Sequence, residues 1–142
     1  LLEARSYTDD PLLIFGLAEL DGELGNDLEA IKGYAQLDNR LIYDQTGIST
    51  YQRIGLAYAR LGKFESAIEF LEKALELEYD DQTAYELASL YFDQEDYQKA
   101  VLYFKQIDTI SPDFEGYEYG YSQALHKEHQ TEEALKIAQQ GL

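Results

Sequence analysis

The side chains most able to do chemistry lie near the end of the chain. His126, Glu128 and His129 put three candidate metal ligands within four residues. A zinc centre wants three or four converging ligands at recognisable spacings, and neither a further imidazole nor any cysteine is present to complete one. The pair of histidines reads as solvated turn residues. Carboxylates recur side by side at Asp9-Asp10, Asp80-Asp81 and Glu132-Glu133. Acid–base catalysis needs two carboxyls whose environments push their pKa values apart. In a chain with 28 acidic residues adjacency carries no such information, and acids at turns and helix starts serve to cap helices and complement their dipoles. The glycines are scattered, so no loop is built to cradle a phosphate. Nothing favours a Ser/His/Asp arrangement over chance. With no activated nucleophile and no tunable acid–base pair in sight, the expectation is a protein that is not an enzyme and carries no cofactor and no metal.

Charge says more about partners than about reactions. Against the 28 acids stand 11 Lys and Arg, for a net charge of −17. Such a surface repels polyanions, so nucleic acid and anionic membrane are poor partners. A protein or peptide, basic or aromatic-rich, is a better one. The plainer alternative is that the charge only keeps an exposed helical surface soluble. The absence of Cys removes disulfides and thiol chemistry together and fits a cytoplasmic location. No stretch approaches the ~20 apolar residues of a membrane helix. Leu1 to Arg5 reads like the end of an amphipathic helix and Gly141-Leu142 falls in mid-pattern, which suggests a piece of a longer repeat chain.

The elements that must position any functional group repeat along the chain. Tyr51, Ile54-Gly55 and Tyr58 lead to Ala67, Leu71 and Ala74. Leu87-Ala88 and Tyr91 lead to Ala100, Phe104, Ile107 and Pro112, and Tyr121-Ser122 and Leu125 lead to Ala134 and Ala138. The marker alanines Ala67, Ala100 and Ala134 are 33 and 34 residues apart. Phe64, Ile68, Leu71 and Leu75 recur at steps of three and four, one face of a helix, as do Tyr97, Val101 and Phe104. Gly62-Lys63, Gln94-Glu95-Asp96 and His129-Gln130 interrupt the pattern where antiparallel helices would turn. Asp10-Pro11 and Ser111-Pro112 read as capped helix starts. Gly55, Ala67, Ala88 and Ala100 are small, as required where two helices approach closely.

The period and the pattern, an aromatic, Ile-Gly and Tyr followed by A-x-x-x-F-x-x-A, resemble the tetratricopeptide repeat. The resemblance covers most of the chain. It divides the chain into the end of a preceding helix (1–9), a degenerate repeat (10–47), two repeats (48–80 and 81–114) and a truncated last repeat without a capping helix (115–142). In the degenerate unit, Ile14, Leu17-Ala18, Ala30-Ile31 and Tyr34 fall in matching places. There Asp21 replaces an aromatic, and the connection through Leu41 to Gly47 is about three residues long in excess. The fold implied is all-α, a right-handed superhelical array of antiparallel helix-turn-helix repeats, with a concave groove lined mainly by the first helix of each repeat.

The resemblance also implies where a ligand would lie. Outward positions of the first helices give Phe15, Gln52, Arg53, Leu56, Arg60, Tyr85, Ser89, Phe92, Tyr119 and Gln123. Tyr and Phe suit a gripping surface, since they offer large apolar faces at little rotamer cost. The alternative for Tyr85 and Tyr119 is sideways packing, because Ala84 and Glu118 replace the aromatic that usually precedes them. Arg53 and Arg60, two turns apart on one face, would either dock a ligand carboxylate or pair with Glu86, Asp93 or Glu19 of the same chain. Family members that bind chaperones clamp an acidic C-terminal tail with a Lys/Asn/Arg set. Gln52, Leu56, Gln82, Glu86 and Gly120 stand at those places, so acidic chaperone tails are not expected to bind. The function expected is a protein-interaction scaffold holding a protein segment in its groove. Two alternatives stand beside it, a peptide-sensing module coupled to another domain and a self-associating structural array that would form homodimers.

Overall fold

Side-chain oxygens mark where five of the helices begin. Asp10 accepts a hydrogen bond from the Leu12 N–H at 3.0 Å, with Pro11 in the first turn. Asp38 accepts from Arg40, Ser49 from Gln52, Asp80 from Thr83 and Asp96 from Lys99. Each bond satisfies an amide that the helix itself leaves unpaired, worth about 1 kcal/mol. Four of the 28 acids of the chain, all Asp, therefore have a use as helix caps. The computed structural model describes residues 10–140. The described residues form eight α-helices: α1 (Pro11–Glu23), α2 (Asp27–Ala35), α3 (Asn39–Thr46), α4 (Thr50–Arg60), α5 (Phe64–Leu77), α6 (Asp81–Asp93), α7 (Tyr97–Ile110) and α8 (Tyr117–Gln140). No strand occurs among them. The helix end expected at 1–9 lies outside the described residues.

Three hairpin turns share one geometry. Gly25, Gly62 and Glu95 have φ of 81°, 78° and 63°. At each turn the next residue's N–H reaches back five positions, Asn26 to Asp21, Lys63 to Tyr58 and Asp96 to Tyr91, at 2.8–2.9 Å. This left-handed closure caps the carbonyls of the outgoing helix. Glycine adopts it freely, whereas Glu95 does so against its own Cβ.

The chain divides into two compact units, Leu1–Glu78 and Tyr79–Leu142. In the first, α1 packs on α2, α2 on α4 and α4 on α5. Its core gathers Phe15, Ala18, Ala30, Ile31, Tyr34, Ile54 and Ala57. Gly55 is needed at the α4–α5 crossing, where a Cβ would sit 2.7 Å from Leu71 Cγ. In the second unit α6 packs on α7 and α7 on α8, around Leu87, Ala88, Ala100, Phe104, Ile107 and Ala124. Gly120 lets α8 close on α7, for a Cβ there would meet Phe104 Cζ at 2.6 Å. Ala67, Ala88 and Ala100, expected to be small for such contacts, are fully buried.

The structure departs from the sequence pattern at three places. The long connection after Tyr34 contains a helix of its own, α3, closed by Gly47 at φ 75°. Its Ile42 is fully buried in the core, a burial worth roughly 1.5–3 kcal/mol. Ser111-Pro112 does not start a helix: Ser111 ends α7, and the chain turns through Gly116 at φ 92° before α8 begins at Tyr117. Nor does the chain turn at His129-Gln130, since α8 runs unbroken through both. Ala134, aligned by period with Ala67 and Ala100, is consequently exposed. α8 is long but polar, and no helix of the described residues is long and apolar enough to cross a membrane.

Candidate functional site

Tyr85, Ser89 and Phe92 follow one another at steps of four and three on α6, so they share a face. Tyr119 and Gln123, one turn apart, do the same at the start of α8. The two faces border one cleft of about 130 Å³, with Phe104 of α7, Gly120 and Asp93 completing its lining. Five of the ten residues expected to contact a ligand are thus brought together in the second unit. The close approach permitted by Gly120 brings the α8 backbone onto the buried Phe104 ring, which closes the floor of the space between α6 and α8.

The aromatic residues of the cleft are held to different degrees. Tyr85 is half-buried, edge-on to Phe104 at 6.1 Å between ring centroids and 6.0 Å from Phe114. Phe92 meets Tyr97 edge-on at 5.3 Å. Tyr119 is 77% exposed and takes no part in the core. Sideways packing therefore describes Tyr85 in part and Tyr119 not at all. The preceding turn of α8 is anchored by Tyr117, whose hydroxyl donates to the Asp108 carboxylate of α7. That bond, aided by burial and the Asp108 charge, pushes the Tyr117 phenol up to about 12. The anchor fixes where Tyr119 and Gln123 begin their climb along the cleft.

In the first unit the remaining expected residues are placed differently. Phe15 is only 8% exposed and packs at 6.0 Å from the Tyr34 ring, so it is a core residue and offers no groove surface. Arg53 Nε donates to Glu19 at 2.9 Å, and the Tyr34 hydroxyl donates to the same carboxylate oxygen. Burial first, then that bond, raises the Tyr34 phenol well above its ordinary range. Arg60 Nε donates to Asp27 at 2.9 Å. Of the two alternatives for these arginines, internal pairing is the one formed. Glu19 was among the foreseen acids, and Asp27 was not. Gln52 and Leu56 stand half-exposed one turn apart on α4.

Sequence reasoning also missed the floor of the cleft. In the sequence Phe104 stands out only as a packing residue of its repeat, and Gly120 only as the residue at one place of the chaperone clamp. The signal lay in their combination, a large ring opposite a residue with no side chain. Of the histidines, His126 is exposed and His129 lies 3.1 Å from Glu133 one turn along α8.

The geometry of paired helices closed by left-handed turns is matched by kinship. Residues 48–81 and 82–114 each match the sequence model of the tetratricopeptide repeat. These residues form two tetratricopeptide repeats. All of it aligns, at 25% identity over 146 positions, with the TPR repeat-containing protein YpiA of Bacillus subtilis (strain 168). It spans 34% of that relative's length. Among solved structures it is similar to the MamA protein, with a TM-score of 0.72 at 19% identity over 97% of this chain and 73% of that one. It is also similar to the APC/C hetero-tetramer Cut9–Hcn1, with a TM-score of 0.70 at 21% identity over 84% of this chain and 24% of that one. At such identities the likeness shows the fold, an all-α array of helix-turn-helix repeats. Repeats of this family are in general protein-interaction modules without catalytic activity.

Proposed function

We propose that this chain is a scaffold that holds a segment of a partner protein, and that the cleft between α6 and α8 is where the segment is gripped. The observation that carries this reading is the convergence of Tyr85, Ser89, Phe92, Tyr119 and Gln123 on one cleft. An exposed Tyr beside half-buried rings is the composition of a binding hot spot, apolar enough to gain by desolvation and polar enough to stay soluble when empty. The hetero-tetrameric assembly named for Cut9–Hcn1 is consistent with a protein as ligand. Because the lining carries Asp93 and no basic group, an acidic chaperone tail is a poor ligand for it. The test compares proteins captured from a cell extract by the wild-type chain and by the Tyr85→Ala/Tyr119→Ala variant, with folding followed by circular dichroism. A partner retained only by the wild-type chain, then mapped to a short segment on a peptide array, supports the reading. Equal capture by both proteins removes it.

A second reading has its own observation. Leu125 and Leu135 are 44% and 59% exposed on α8, and exposed leucines along one helix suit self-association. Sedimentation across a hundredfold concentration range decides it, and a strictly monomeric chain would end it.

A further inference from the structure

The chemistry of the cleft narrows its occupant, on the footing that a partner segment does bind there. We propose that the segment inserts an arginine side chain, its guanidinium seated among the rings of Tyr85, Phe92 and Tyr119 and paired with Asp93. Three partly or fully exposed aromatic rings, Tyr85, Phe92 and Tyr119, line the space, and the faces of such rings carry the negative side of the ring quadrupole, which attracts cations. Asp93 is an exposed carboxylate at the rim, and no ion pair engages it among the described residues. None of the lining residues is basic, and the chain as a whole carries a charge of −17, so the local and the global field have one sign and favour a cation. Ser89 and Gln123 add neutral hydrogen-bonding groups at the same mouth. Arginine fits this set better than lysine. Its guanidinium is flat, stacks on aromatic faces, is weakly hydrated and can present two N–H groups to one carboxylate. An uncharged aromatic anchor would use the rings but leave Asp93 facing apolar surface, at a desolvation cost.

The test is an NMR titration of the whole chain with acetylated, amidated pentapeptides Gly-Ser-Xaa-Ser-Gly, where Xaa is arginine, citrulline or phenylalanine. Citrulline keeps the shape of arginine and loses the charge. The expected result is that the arginine peptide shifts the amides of residues 89–93 and 119–123 with an apparent Kd about tenfold below that of the citrulline peptide. That preference should largely vanish in Asp93→Asn, an exposed position whose change leaves the fold intact, and should shrink in high salt. If the phenylalanine peptide binds as well as or better than the arginine peptide at the same amides, or citrulline matches arginine, the guanidinium assignment is wrong while the cleft remains a binding site. If no peptide moves those amides, both the assignment and the cleft as the gripping site are overturned.

Discussion

Arg53 and Arg60 of the first unit stand at the repeat positions that Glu86 and Asp93 occupy in the second. In the first unit the two cations are held by acids from neighbouring helices, Glu19 and Asp27, at 2.9 Å. In the second, Glu86 accepts from Gln82 one turn before it, while Asp93 is exposed and borders an aromatic cleft. One register of a repeat therefore serves cohesion in one place and leaves chemistry on offer in another. Matching positions across repeats locates candidates for a ligand site. Whether a candidate is free depends on what the adjoining helices contribute, which the pattern of a single helix does not reveal.

The contrast can be broken most forcefully at Glu19. Its carboxylate serves both the buried Tyr34 hydroxyl and Arg53. Glu19→Ala should cost the first unit about 2–3 kcal/mol, because two donors lose their acceptor. Denaturant unfolding measures this, and an unchanged midpoint would mean that the pair contributes nothing and that Arg53 is as available as the second unit's acids. Next in size, Tyr85→Ala with Tyr119→Ala should weaken partner binding by about 2 kcal/mol with the helical signal unchanged. Loss of helicity instead would assign the cleft rings to the core and erase the distinction between the units.

A smaller effect sharpens the comparison at the turns. Gly25 and Gly62 close the hairpins of the first unit, and Glu95 does so in the second at φ 63°. Glu95→Gly should raise stability by about 1 kcal/mol by removing the left-handed penalty, less the added freedom of glycine in the unfolded chain. A thermal melt that moves down would refute this account of the turn. The smallest effect concerns pH. The Tyr117 phenol is raised from its ordinary value near 10 to about 12 in the folded chain. A raised pKa means that the contribution is whole below pH ~10 and is lost as pH climbs toward ~12. Tyr117→Phe should flatten that alkaline decline, leaving the shares due to Tyr34 and Tyr79, whose phenols are also raised, as followed by melting at a series of pH values and by tyrosinate absorbance. An unaltered decline would show that Tyr117 does not anchor α8.

The parts of the fold legible in the sequence were those with a strong local cause. Gly62 and the Asp10-Pro11 pair fix a turn and a start by backbone chemistry alone, and Gly55 and Ala100 announce close helix crossings by their size. The last turn was misplaced for the converse reason. His129-Gln130 holds neither a glycine nor a proline, and the residues around it are ordinary helix formers, so nothing local ends α8. The start at Ser111-Pro112 was misjudged because Gly116, four residues on, reverses the chain at φ 92°. α3 is eight residues long, too short for a periodic signal, and declares itself only through the Asp38 cap and Gly47. The cleft was half legible. Its walls follow from outward positions on α6 and α8, whereas the fate of Phe15, Arg53 and Arg60 depends on Tyr34, Glu19 and Asp27, distant in sequence and joined only by folding.

The unbroken α8 has a mechanical side. Its first two turns border the cleft, and its last turns lie about 30 Å away at 1.5 Å of rise per residue. A stiff rod gripped at one end is a lever: a tilt of about 5° at Tyr119 would swing the far end by about 3 Å. Occupancy of a small cleft would then be read as displacement at Leu135, without any change of secondary structure between the two.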